Sequence, residues 1–362
     1  EPAPEVAAAP AEPAAPAPDL AAPSADVQVP SSEAASLPVV VRKKPRVRRP
    51  NQARGTSGGG YKVSMVDLMD AGADWSGGHD GPEAVQDEWV APESSEWEGD
   101  VVVRRLEDLE DLAGYAKING SLTIQIGSRA SLDALWMLEV IDGDLRIERS
   151  PAMLDLRGLE QLTEITGSLI VSTNASLLTL KGLNHVTQIG GDIVLDRNGA
   201  LIDVEALTHV RRVSGRLQMT RNRSLWSLSG LRHVELIEGD LTISQNASLL
   251  DLMGLDELEE VQGQVLIEGN EGLRSLNGLS RLVTVGKGVR VLEHESLRDV
   301  AKLRSLRSVT ESVSFISHPV LPACAVDILR RELSNPELQD SVIQRFNDDR
   351  AGCNRNASDR RP

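Results

Sequence analysis

Three histidines are the first residues whose spacing invites a chemical reading. His185, His209 and His233 fall 24 residues apart, each directly before a valine. If each turn of chain stacks on the next, neighbouring imidazoles in such a column stand about 5 Å apart. Rings so placed could hold Zn²⁺ or Ni²⁺, or form a pH-sensitive stripe. The plainer alternative is that duplication has copied a tolerated surface residue. The chain has two cysteines, Cys324 and Cys353. An even pair permits one disulfide, which fits an oxidising compartment and would close a loop of about 30 residues at the end of the chain. Two unrelated reduced thiols are the alternative. No other constellation carries chemistry. The sequence holds no Gly-rich phosphate loop, no HExxH, no CxxC and no nucleophile elbow, and its carboxylates are scattered. Neither an enzyme nor a cofactor is expected.

The elements that would position these side chains are written as a repeat. Gly143, Gly167, Gly191, Gly215, Gly239 and Gly263 keep a 24-residue step, and so do Asn174, Asn198, Asn222, Asn246 and Asn270. After each Asn come apolar residues at fixed offsets, as in Leu177, Leu180, Leu183, Val186 and Ile189. A fixed period of this length marks a solenoid, propeller or array. Within one unit, Leu169 and Val171 alternate with Ile170 and Ser172, so the glycine opens a short strand with one face inward. The later step of three, with Gly182 in its middle, suits short extended or 3₁₀-like segments joined by bends. Leu106, Leu109, Leu112, Tyr115 and Ile118 fill the same five inward slots before the first clear glycine. Aromatics make up only 2% of residues, which suits a thin core of stacked aliphatic layers. The expected fold is all-β, a right-handed parallel β-helix or leucine-rich solenoid of about nine or ten coils. Stacked, the five Asn side chains would form a structural ladder that caps backbone groups of adjacent coils. That role outweighs the glycosylation pattern matched by Asn174, Asn222 and Asn246. Beyond the array, CAVDILRREL reads as a helix capping the open end, stopped at Asn335-Pro336.

The units resemble the receptor L domain family, the leucine-rich right-handed β-helix of insulin-receptor-like and epidermal-growth-factor-receptor ectodomains, and are most similar to its bacterial versions. GDLTISQNASLLDLMGLDELEEV and the unit from Gly167 carry the pattern, EGDVVVRRLEDLEDLAGYAKINGSLTI resembles its opening, and HPVLPACAVDILRREL with the distal Cys353 resembles its end. The likeness spans about residues 97–355. It implies a surface or secreted binding module whose partners vary between members.

The domain reading follows. Residues 1–60 are a Pro/Ala-rich linker expected to be disordered, with a basic run from Arg42 to Arg54. Residues 61–96 are an acidic, Trp-containing segment, and part of 84–98 is expected to pack on the first coil. Residues 97–322 form the solenoid, 323–355 the cap with its disulfide, and 356–362 a tail. The net charge of −16 argues against nucleic acid as partner. No apolar run reaches the roughly 18 residues of a membrane span. Glu1 in first position points to a removed targeting segment or a start inside a longer chain.

Function is sought where the period leaves the residue free, on the outward strand face: Arg146, Ile170, Asp196, Gln218, Thr220, Thr242 and Glu268. Ile170, Val194 and Leu266 would form an exposed apolar column there. Such a face favours a protein partner over an envelope polysaccharide, because it offers no aromatic platform. The reading is a non-enzymatic, extracytoplasmic binding or adhesion scaffold, with the N-terminus as a tether to the cell surface, outer membrane or periplasm. The alternative is a structural subunit of a cell-envelope assembly.

Overall fold

The computed structural model describes residues 95–128 and 131–348. The Pro/Ala-rich segment, the basic run, Trp75, Trp89 and Cys353 lie outside the described residues.

The chain coils into a parallel β-solenoid of about nine turns. Successive coils build a main ladder of eleven strands, running from Val101–Val103 through Leu169–Ser172 and Ile193–Asp196 to Val313–Ile316 and finally Val342–Arg345. All pairs are parallel and in register, so that Leu169, Ile193, Leu217, Leu241, Val265, Val289 and Val313 follow one another across the sheet. Register is fixed because a one-residue slip would turn the inward row outward. A second ladder of short strands begins at Glu96–Glu98 and ends at Ser308–Val309. It is interrupted between Gln188–Ile189 and Arg212–Val213, which leaves two five-stranded sheets. Between the ladders the chain makes bends and short 3₁₀ turns, such as Glu205–Leu207 and Ser229–Leu231.

Inward side chains are almost all Leu, Ile and Val, and most have no exposed surface. Each contributes roughly 1.5–3 kcal/mol on burial, so the sum over coils stabilises the stack without large rings. Two glycine columns allow coils this close. The glycines before the main strands pack on one another: a Cβ on Gly143 would lie 2.6 Å from the Gly120 carbonyl carbon. Gly182 has a second reason, with φ +121° and a Cβ position that falls on the Leu156 carbonyl.

Both ends depart from the sequence reading. Leu106 does not enter the core; it is 47% exposed, at the start of helix α1 (Leu106–Glu110). The first coil is shortened between its strand and this helix, and no described coil lies outside it to cover Leu106. Upstream, Glu96–Glu98 pairs with Lys117–Asn119, and Trp97 packs edge-on against Tyr115 with ring centroids 5.4 Å apart. At the far end, α2 (Ala323–Glu332) buries Val326 and Leu329. A short α3 (Pro336–Asp340) follows, capped by the Asn335 side chain. The array does not stop at Pro322: Val342–Arg345 returns after the helices and adds the last strand of the main ladder. The helices therefore form the long connection of a final coil as well as a cap. Among the described residues no cysteine is free, and no helix is long and apolar enough to cross a membrane.

Candidate binding face

The main ladder turns two rows of side chains outward. One row runs Arg146, Ile170, Val194, Gln218, Thr242, Leu266, Arg290, and the other Glu148, Ser172, Asp196, Thr220, Ser244, Glu268, Leu292. All seven sequence-selected residues stand on this one face. Three of them are joined. Asp196 accepts a 2.6 Å hydrogen bond from the Thr220 hydroxyl, and Gln218 donates to that hydroxyl at 3.4 Å. Arg197 and Arg221 flank Asp196 at 3.3 and 3.4 Å. Arg146 instead pairs with Asp144 at 2.6 Å. Thr242, Glu268 and Ile170 enter no such network.

The expected exposed apolar column is corrected here. Val194 is 8% exposed, and Ile170 and Leu266 are half-buried. Parallel strands stand about 4.8 Å apart on both sides, so Ile170 and Gln218 wall in Val194. The face is a shallow polar surface with an apolar floor at Ile170–Val194.

Sequence reasoning missed the edge of this face. Arg149, Thr173, Arg197, Arg221, Gln245, Gly269, Glu293, Ser317 and Phe346 form a column, each with φ between 50 and 65°. A left-handed residue here ends the strand and turns the next residue, the ladder Asn, into the core. Only Gly269 signals the conformation by type. Along this edge runs an open groove with Arg221 and Arg223 at one end, Glu271, Glu293 and Glu295 further along, and Ser317 and Pro319 at the other end.

Behind the edge lies the ladder itself. Asn174, Asn198, Asn222, Asn246 and Asn270 are fully buried. Each Oδ1 accepts the backbone N–H of the residue 24 earlier, as Asn222 does from Asn198 at 3.0 Å. Each Nδ2 donates to a carbonyl 27 residues earlier, as Asn222 does to Leu195 at 2.9 Å. Asn174, Asn222 and Asn246 therefore offer no amide to a glycan. Ser150 opens the series, and His294, His318 and Asn347 extend it. In both histidines Nδ1 takes the acceptor place of Oδ1, and Nε2–H takes the donor place, at 3.1 Å to Ile267 and 3.0 Å to Val291. These partners set the neutral Nε2–H tautomer. The two rings stack at 5.4 Å. Burial is the main cause that pushes His294 down to about 4, with neighbouring His318 adding to it, and burial lowers His318 as well.

The other histidine column is spent on its own coils. His185 and His209 hold the carbonyls of Glu160 and Asn184 at 2.6 and 2.8 Å through Nδ1, and His233 faces Glu257 at 3.3 Å. Among the described residues no group of three or more His, Cys, Asp or Glu converges on a metal position.

With this geometry in hand, comparison with known families is decisive for one part of the chain. Residues 116–202 match the family model described as Receptor L domain. This stretch is a receptor L domain. It takes in the coils from Ala116 to Ile202, including Arg146, Ile170, Asp196 and the first two ladder Asn residues. No curated protein matches the chain. A receptor L domain on a β-solenoid is a binding type of scaffold.

Proposed function

We propose that the chain is an exported, non-enzymatic binding module that presents its main strand face to a protein partner. One observation carries the reading: the inward rows are held by core and ladder, while the outward rows change residue type from strand to strand. The Asp196–Gln218–Thr220 network, bordered by Arg197 and Arg221 and floored by Ile170 and Val194, supplies directional polar contacts around a small apolar patch. That composition suits a protein surface, and the outward rows from Arg146 to Arg290 and from Glu148 to Leu292 offer no aromatic platform for a sugar. Export is supported by the family and by the expected Cys324–Cys353 bond, whose second cysteine lies outside the described residues. Non-reducing mass spectrometry tests that bond directly.

The face is tested by affinity purification of the full chain from its native envelope fraction, beside an Ile170→Arg/Gln218→Glu/Thr242→Arg variant. The proposal expects a defined partner retained by the wild type and lost, at least tenfold, by the variant, with the circular dichroism of the two proteins alike. Equal retention would remove the face from the function. A complex of fixed stoichiometry that survives the substitutions would favour the structural-subunit reading.

A further inference from the structure

The groove along the left-handed edge carries charge in a pattern that the strand face does not. In each coil the ladder residue is buried, and the residues just before and just after it turn outward on either side. Stacked, these neighbours form two walls that run along the solenoid. The groove between them has a volume of about 970 Å³, at the upper end of ligand sites. Both walls change sign together. Beside Asn222 they hold Arg221 and Arg223, and beside Asn246 the uncharged Gln245 and Ala247. One coil further Glu271 appears opposite Gly269, and beside His294 both walls are acidic, with Glu293 and Glu295. A Cβ at Gly269 would meet only the Gln245 side chain, at 3.6 Å, so the middle of the groove is open.

Most of these charges are unspent. Arg221 is tied down, since Nε donates to the Gln245 side chain at 3.1 Å and Nη1 lies 3.4 Å from Asp196. Arg223, Glu271, Glu293 and Glu295 are exposed, and among the described residues none of these four side chains enters an ion pair. Glu271 and Glu295 occupy one slot on adjacent coils, about 4.8 Å apart. Two carboxylates so placed repel each other unless a cation lies between them.

We propose that this groove takes an extended peptide segment of a partner, lying along the solenoid axis, with a carboxylate at Arg223 and a basic side chain among Glu271, Glu293 and Glu295. Glu271 and Glu295 stand two and three coils from Arg223, about 10 and about 14 Å, and an extended chain covers about 3.4 Å per residue. The acid and the base of the peptide are therefore three or four residues apart. Charge complementarity selects this occupant. A polyanionic glycan would match the Arg223 end and be repelled by the three glutamates. A polyamine would match the glutamates and be repelled at the arginine end. A peptide carries both signs on one chain. Ile170, Gln218 and Thr242 do not line the groove, so this proposal and the strand-face proposal fail separately.

Selection of a displayed library of short random peptides on the immobilised full chain tests it. The expected result is enrichment of sequences with Asp or Glu three or four residues from Lys or Arg. Those peptides should bind at least tenfold more weakly to Arg223→Glu, and the library selected on that variant should return peptides that are basic at both ends. Ala247→Trp keeps every charge and fills the middle of the groove, and it should weaken the wild-type peptides as much. Circular dichroism should be alike for all three proteins. Absence of any enriched sequence would overturn the proposal. So would enrichment of purely acidic peptides, which would point to a polyanion, or of purely basic ones. Mixed-charge peptides that bind both variants as well as the wild type would place their site elsewhere and overturn it too.

Discussion

Thr173 shows what a single position gives up to shape this edge. It is β-branched and held at φ +59°, where Cβ crowds the following carbonyl. The conformation persists because it aims Asn174 inward, and the Asn then satisfies two buried backbone groups of the coil before it, the Ser150 N–H and the Ile147 carbonyl. Replacing Thr173 with Gly removes the strain and leaves the ladder alone. After the entropy cost of glycine, a gain of roughly 0.5–1 kcal/mol is expected, read as a higher urea midpoint. Gly269→Thr, the converse change four coils along the same column, should lower that midpoint. If Thr173→Gly lowers it, the column is held by something other than the turn geometry. Residue type hid this column from sequence reasoning, because Arg, Gln, Glu and Ser give no sign of a left-handed backbone.

The ladder is the element that ties strain at the edge to order in the core. Its regular part was legible because a buried amide at a fixed step leaves little choice of residue. Its end was not. The last strand and Asn347 return 29 residues after His318 rather than 24, with two helices in between. Leu106 misled for the related reason that its coil is short. His294 and His318 give the ladder a pH dependence that Asn cannot. Their rings face each other and the carbonyls of Ile267, Asn270 and Val291, while the nearby carboxylates Glu293 and Glu295 lie on the exposed side. Unfolded His takes a proton near 6.5, and folded His294 does so only near 4. Stability from these sites is therefore complete above about pH 6.5 and is lost as pH falls from there towards 4, by roughly 3 kcal/mol at His294 alone. Chemical denaturation at pH 7, 6, 5 and 4 should show that loss. His294→Asn with His318→Asn should flatten it, since Asn makes the same pair of bonds without titrating. An unchanged slope in the double variant would refute the assignment.

At the scale of the whole molecule, the solenoid separates jobs by direction. Inward rows, glycine columns and ladder make the stack, and their period made them readable from sequence. Outward rows carry what distinguishes one coil from the next, and only the structure shows which of them are joined, as Asp196 is to Thr220, or walled in, as Val194 is. The receptor L domain over residues 116–202 takes in four of the eleven main strands, and the later coils continue its main ladder in the same register. The central claim is that the strand face meets a partner. It is tested most directly by a photo-crosslinking residue placed in turn at Gln218, on that face, and at Gln188, exposed on the second ladder, with the full chain in its native envelope. The account predicts one discrete cross-linked species from Gln218 and none of that mass from Gln188. The same species from both positions, or from Gln188 alone, would contradict it.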